Sequence, residues 1–272
     1  MGDNGPLVRV RNLSRTYVRR HGPRASRVVP ALVGVDLDVP RGGIVALVGQ
    51  SGSGKSTLAR CLARLEEPSG GQIWFDGEDA LALPAAGLRA LRERVQLIVQ
   101  DSAGALSPRL TAAEIVAEPL EILGRGGRED RRRHALALME TVGLRAETAD
   151  RRPLDLSGGQ RQRLSIARAL AVKPRLLILD EAFAGLDASI QAQVAALLHD
   201  LRRREGLTYL CISHDLALMS VFADEVAILF EGRIVERADA ARLFTAPAHP
   251  HTRALVAAVP VVPPLAEAAA TS

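Results

Sequence analysis

The run "GGIVALVGQSGSGKST", residues 42–57, holds a strand, a loop and the start of a helix. Residues 42–49 are short, apolar and end in glycine, which suits a strand buried on both faces. "GQSGSGKST" (49–57) then fits G-x-x-x-x-G-K-[ST], and residues 55–65 read as a helix. That order builds a phosphate cradle. Gly49, Gly52 and Gly54 let the backbone wrap close to phosphate oxygens, and the helix start adds partial positive charge. Gln50, Ser51 and Ser53 fill the loop, Lys55 reaches the outer phosphates, Ser56 offers a hydroxyl to magnesium and Thr57 closes the motif. A nucleotide with Mg2+ is the ligand this pattern predicts.

Lysine is scarce elsewhere. Of 35 Lys and Arg residues only Lys55 and Lys173 are lysine, so 33 are arginine. A compact ammonium fits a tight phosphate cradle where a planar guanidinium does not. A plain glycine-rich turn gives no reason for this exception.

Two further strands deliver polar residues to the ligand edge of a parallel sheet. "RLLILDEA" (175–182) ends in Asp180 and Glu181. Asp180 is placed to hold magnesium and Glu181 to act as general base on the attacking water. Acid pairs at strand ends are common alone, but not beside a phosphate loop. "CISHD" (211–215) repeats the design with His214, which can donate to a γ-phosphate or orient water. Alone it would read as a turn histidine. Gln100 ends "VQLIVQ"; spacing leaves open whether its amide touches magnesium or water and reports this to the segment that follows. His249 and His251 in "HPHT" have no acidic or cysteine neighbours, which argues against a metal site.

Outward from these motifs, residues 7–18 and 28–39 read as strands joined by an arginine-rich hairpin. "GGQIWFDGED" reads as a strand and turn. From about 100 to 155, "TAAEIVAEPLEILG" and "REDRRRHALALMETVGL" carry helical spacing, with glycine-rich breaks at 124–127. A helical lobe inserted into an α/β domain is expected there. Helices at 158–172, 189–204 and 214–222 alternate with strands at 175–180, 207–212 and 225–230. That alternation predicts a mostly parallel sheet covered on both faces. Residues 238–259 look helical, and the last dozen loose.

The 272 residues suit one large domain; 47% are apolar and 24% charged. No apolar run reaches the roughly 18–20 residues that span a bilayer. The start lacks the basic-then-apolar pattern of a signal peptide, so a cytosolic protein is expected. Cys61 and Cys211 read as small buried hydrophobes. The net charge of +4 permits nucleic acid or anionic lipid as partner without demanding either.

Together these residues resemble the ATP-binding cassette (ABC) family over about residues 7–260. "GQSGSGKST" matches its phosphate loop, "LSGGQ" (156–160) its signature, "LLILDE" its magnesium strand and Gln100 its Q-loop. "GLD" (185–187) matches its D-loop, and His214 its switch histidine. The resemblance implies a P-loop ATPase core, an N-terminal antiparallel β subdomain and a helical subdomain over about 101–157. Residues 261–272 are left as a flexible tail. It also implies that Tyr17 stacks on adenine and that Asp187 and Gln160 serve the nucleotide site. Two cassettes would face each other head to tail. Ser157, Gly158 and Gly159 of one would then cradle the γ-phosphate bound by the other, whose Lys55 already supplies the cation. Gln100, Ser56 and Asp180 would hold magnesium.

Within the family, "TAPAHPHTRALVAAVP" and "QDSAGALSPRLT" look like the ATPases of dipeptide, oligopeptide and nickel importers. Expected partners are transmembrane permease subunits, a second cassette, identical or paralogous, and, indirectly, a periplasmic or lipid-anchored solute-binding protein. Nucleic acid is not expected. The chain would sit peripherally on the inner face of the cell membrane. The alternative is a soluble ABC ATPase acting on nucleic acid or ribosomes. Two departures stand out. The usual "DEPTSALD" is "DEAFAGLD" here, which bears on the D-loop. The tail also lacks the cysteines by which some relatives hold an iron–sulfur cluster, so no cluster is expected.

Overall fold

The computed structural model describes residues 5–21, 25–99 and 102–259. β1 (Val8–His21) and β2 (Ala25–Val39) form a long antiparallel hairpin, with Val8 opposite Val39 and Tyr17 opposite Val29. β3 (Ile44–Val48) follows, every residue buried, and leads through the phosphate loop into α1 (Lys55–Leu62). α1 stops short of residue 65 because Arg64 takes a left-handed φ of 52°. β4 (Gly70–Phe75) pairs with β1 and β5 (Glu78–Asp79) with β4, giving an antiparallel sheet ordered β2-β1-β4-β5.

α2 (Ala85–Arg94) precedes β6 (Val95–Ile98). Helices α3 (Ser102–Ala105), α4 (Ala112–Ile122), α5 (Arg128–Thr141) and α6 (Gly158–Leu170) come next. Then β7 (Leu176–Asp180), α7 (Ala188–Glu205), β8 (Thr208–Ser213), α8 (Leu216–Phe222) and β9 (Glu225–Phe230) alternate. β10 (Arg233–Asp239), α9 (Ala240–Thr245) and α10 (Pro250–Ala257) complete the described chain. The second sheet is ordered β10-β9-β3-β8-β7-β6; β10 alone runs antiparallel to its neighbour.

One correction concerns the helix expected over 238–259. The segment begins as the end of β10 and then forms two helices, because Pro247 sits in a break at 246–249 and Pro250 opens the second helix. The expected loose tail lies outside the described residues.

Side-chain alternation splits each central strand between two cores. Ile44, Ala46, Val48, Leu177, Leu179, Tyr209 and Cys211 belong to one core that continues through residues of α4–α8. Val45, Leu47, Ile178, Leu210 and Ile212 face α1 and the antiparallel sheet. The sheet is thereby fixed from both sides, and its strand ends are held in place for chemistry.

Candidate active site

Helix starts differ across the molecule in a way that matters. Ser157, Asp187 and Asp215 cap α6, α7 and α8, each accepting a hydrogen bond from a backbone N–H three residues on. α1 has no such cap: Gly54 occupies the position with φ 110° and no side-chain hydrogen bond. The first N–H groups of any helix lack intrahelical partners. α2, α5 and α9 also start without a side-chain cap; the start of α1 is set apart by the cleft it shares with Glu181 and His214.

The loop's glycines are required by close approach. A Cβ on Gly49 would lie 2.2 Å from the Leu229 carbonyl oxygen, and one on Gly54 2.3 Å from that of Ala31. The Lys55 ammonium is buried and donates to the carbonyls of Gly49 at 2.6 Å and Gln50 at 3.0 Å. Burial draws it below its usual range, against the pull of Glu181 and Asp180. The Ser53 hydroxyl is buried without a partner.

β7 and β8 bring their polar ends to this loop. Ser56 Oγ donates to Asp180 Oδ1 at 3.3 Å. Burial lifts the Asp180 carboxyl above its usual range; the Ser56 bond opposes this and the neighbouring Glu181 adds to it. Glu181 Oε2 lies 2.9 Å from His214 Nδ1, with the carboxylate side chain 11% exposed and the imidazole 67%. Ser51, Gly52, Gly54, Lys55, Ser56, Thr57, Glu181 and His214 line one cleft of about 560 Å3 with Ala31. Tyr17 stands at its margin, its hydroxyl 3.4 Å from Thr57 Oγ1.

Other expected site residues lie elsewhere. Ser157, Gly159 and Gln160 line a different pocket, with Arg145, Arg151 and Arg163. Gly158 is exposed, and a Cβ on Gly159 would meet Ile190 Cγ2 at 2.8 Å. Ser157 and Gln160 close a capping box. Asp187 accepts from Ile190 N at 2.9 Å. Gln100 lies outside the described residues. Sequence reasoning missed Arg15, whose guanidinium lies 4.8 Å from the centroid of the Tyr17 ring. Its signal was there: residues two apart on a strand share a face.

The uncapped start of α1 can take phosphate, and Glu181 beside it can take a proton from water. That division of labour is that of a P-loop nucleotide hydrolase. A profile of the ABC transporter family matches residues 32–184, and the chain belongs to that family as an ATP-binding, ATP-hydrolysing cassette. It is 47% identical over 255 residues to a protein of Brucella ovis named for peptide import ATP binding, covering 94% of this chain and 79% of that one. It is 42% identical to the dipeptide transport ATP-binding protein DppF of Escherichia coli, covering 95% and 78%. Among solved structures it resembles the dimeric, post-hydrolysis state of the ATP-binding cassette MJ0796 bound to ADP and Pi. That match has a TM-score of 0.76 and 30% identity, and covers 86% of this chain and 98% of that one.

Proposed function

We propose that this chain energises an importer of peptides or related small solutes, docked by permease subunits to the inner face of the cell membrane. The reading is carried by the uncapped α1 start opposite the Glu181–His214 pair. The names of the relatives support the substrate class. They give none to the alternative, an ATPase acting on nucleic acid or ribosomes. No helix among the described residues is long and apolar enough to cross a membrane, so the permease has to be a separate protein or segment.

In this mechanism the loop's N–H groups hold the phosphates, and Lys55 exchanges its two carbonyl partners for phosphate oxygens. A base stacking on Tyr17 takes the ring face opposite Arg15. Ser56 and Asp180 present hard oxygens close together, a donor set that fits magnesium. The ion, when bound, supplies charge neutralisation at the β- and γ-phosphates. Glu181 accepts the proton of the attacking water, and His214 orients that carboxylate through its 2.9 Å contact. The segment over about 101–157 acts as the helical subdomain.

The signature of a second cassette completes the site. Ser157 accepts a bond from Gln160 N at 3.3 Å, which leaves its own proton free to donate across the dimer. A solute-binding protein delivers cargo to the permease. Glu181→Gln should retain ATP-dependent pairing of cassettes and lose turnover by about 10²–10⁴-fold, the usual worth of a general base. Near-normal hydrolysis by the purified variant would falsify the assignment.

A further inference from the structure

The turn that carries Glu181 is strained and anchored from one side. Glu181 holds φ 54°, a left-handed conformation that side-chain-bearing residues rarely adopt. Its N–H donates to the Ile212 carbonyl at 2.9 Å, and its carbonyl accepts from Ala184 N at 3.0 Å. Such a conformation persists only where its surroundings over-determine it.

Two residues further on, the side chain of Phe183 is buried. Its ring meets Phe222 edge to face, with centroids 5.3 Å apart and planes at 70°. Phe222 in turn meets His199 of α7 at 4.9 Å. The Phe183 carbonyl accepts from Gln191 Nε2 of α7 at 3.1 Å. Phe222 is the last residue of α8, the helix that begins two residues after His214. The segment 181–183 and the segment 214–222 are therefore joined at two points. One is the Glu181–His214 hydrogen bond and the other is the Phe183–Phe222 contact.

We propose that Phe183 is a positioning residue for hydrolysis: its packing on Phe222 holds the turn after β7 against α8 and keeps the Glu181 carboxylate at His214. The proposal rests on Glu181 being the base. It makes the "DEAFAGLD" departure purposeful, since the aromatic ring packs on Phe222, which itself packs on His199. A residue that merely filled the core would lower stability when truncated and leave the turnover of the folded protein alone.

The test measures kcat, KM for ATP and Tm for Phe183→Ala, Phe183→Leu and Phe222→Leu in the full chain. Aromatic pairs of this kind are worth up to roughly a tenfold factor. Phe183→Ala should lower kcat by about that factor with KM for ATP changed less than about twofold, and Phe183→Leu, which keeps the apolar volume, should recover most of it. In a His214→Ala background the further loss on adding Phe183→Ala should disappear, because the contact being positioned is gone. A normal kcat with a lowered Tm would overturn the proposal. So would an undiminished loss in the His214→Ala background. If Phe183→Ala does not fold, Phe222→Leu reads the same contact from the other side. Glu181→Gln is the control: if it keeps turnover, the base assignment is what fails; if it abolishes turnover while the Phe variants behave as wild type, the positioning role fails alone.

Discussion

Gly54 meets two constraints at once. It holds φ 110°, and a methyl group there would sit 2.3 Å from the Ala31 carbonyl oxygen. Gly52 meets one: φ 80° with open space around its Cβ position. Alanine at Gly52 should lower stability by about 1–2 kcal/mol, the usual cost of left-handed backbone. Alanine at Gly54 should lower it further, because a carbonyl must also move. Thermal unfolding without nucleotide reads both, and the reverse order would overturn this account of the loop. Lys55, Asp180, Glu181 and His214 were legible in the sequence because each directly follows an apolar strand or its glycine loop. Arg15 and Phe183 were not singled out as contacts. Arginine is common in this chain, and a phenylalanine in an apolar setting does not announce which ring it will meet.

At the scale of elements, the buried parallel strands and long helices could be read from their patterns, because full burial leaves an unbroken apolar run. β10 could not. It is an edge strand, largely partly exposed, and its pairing with β9 depends on a turn in which Glu231 and Gly232 both take positive φ. α2 was equally hard to place: Leu91 is its one buried residue. A groove of about 650 Å3 runs between α2 and β6 on one side and α4 and α6 on the other. Val99 and Ile122 line it and are 39% and 76% exposed. If permease helices seat there, Ile122→Ser should reduce peptide uptake in reconstituted vesicles more than it reduces ATPase activity of the free cassette. Equal losses would remove the groove from the coupling path. Leu106 is nearby in sequence but is a poorer probe, since it is buried in the core.

For the whole molecule, the separation of the phosphate cleft from the signature pocket predicts complementation. Lys55→Ala damages a cassette's own loop, and Ser157→Arg places a bulky cation where the partner's γ-phosphate would meet the signature. In a homodimer each variant alone has two damaged sites. A mixed dimer has one intact site, built from Lys55 of the Ser157→Arg protomer and Ser157 of the Lys55→Ala protomer. ATP-dependent crosslinking should therefore partly return on mixing. Without rescue, in folded variants and with wild-type controls pairing, the second cassette is a paralogue. The scarcity of lysine bears on such experiments. Lys55 is buried against two carbonyls, whereas Lys173 is exposed, with φ 54°. Of the two side-chain amines, one is sheltered and the other open to acylation. Without mutagenesis, Lys173 is a natural point for attaching a fluorophore that could follow the cassettes as they meet and part.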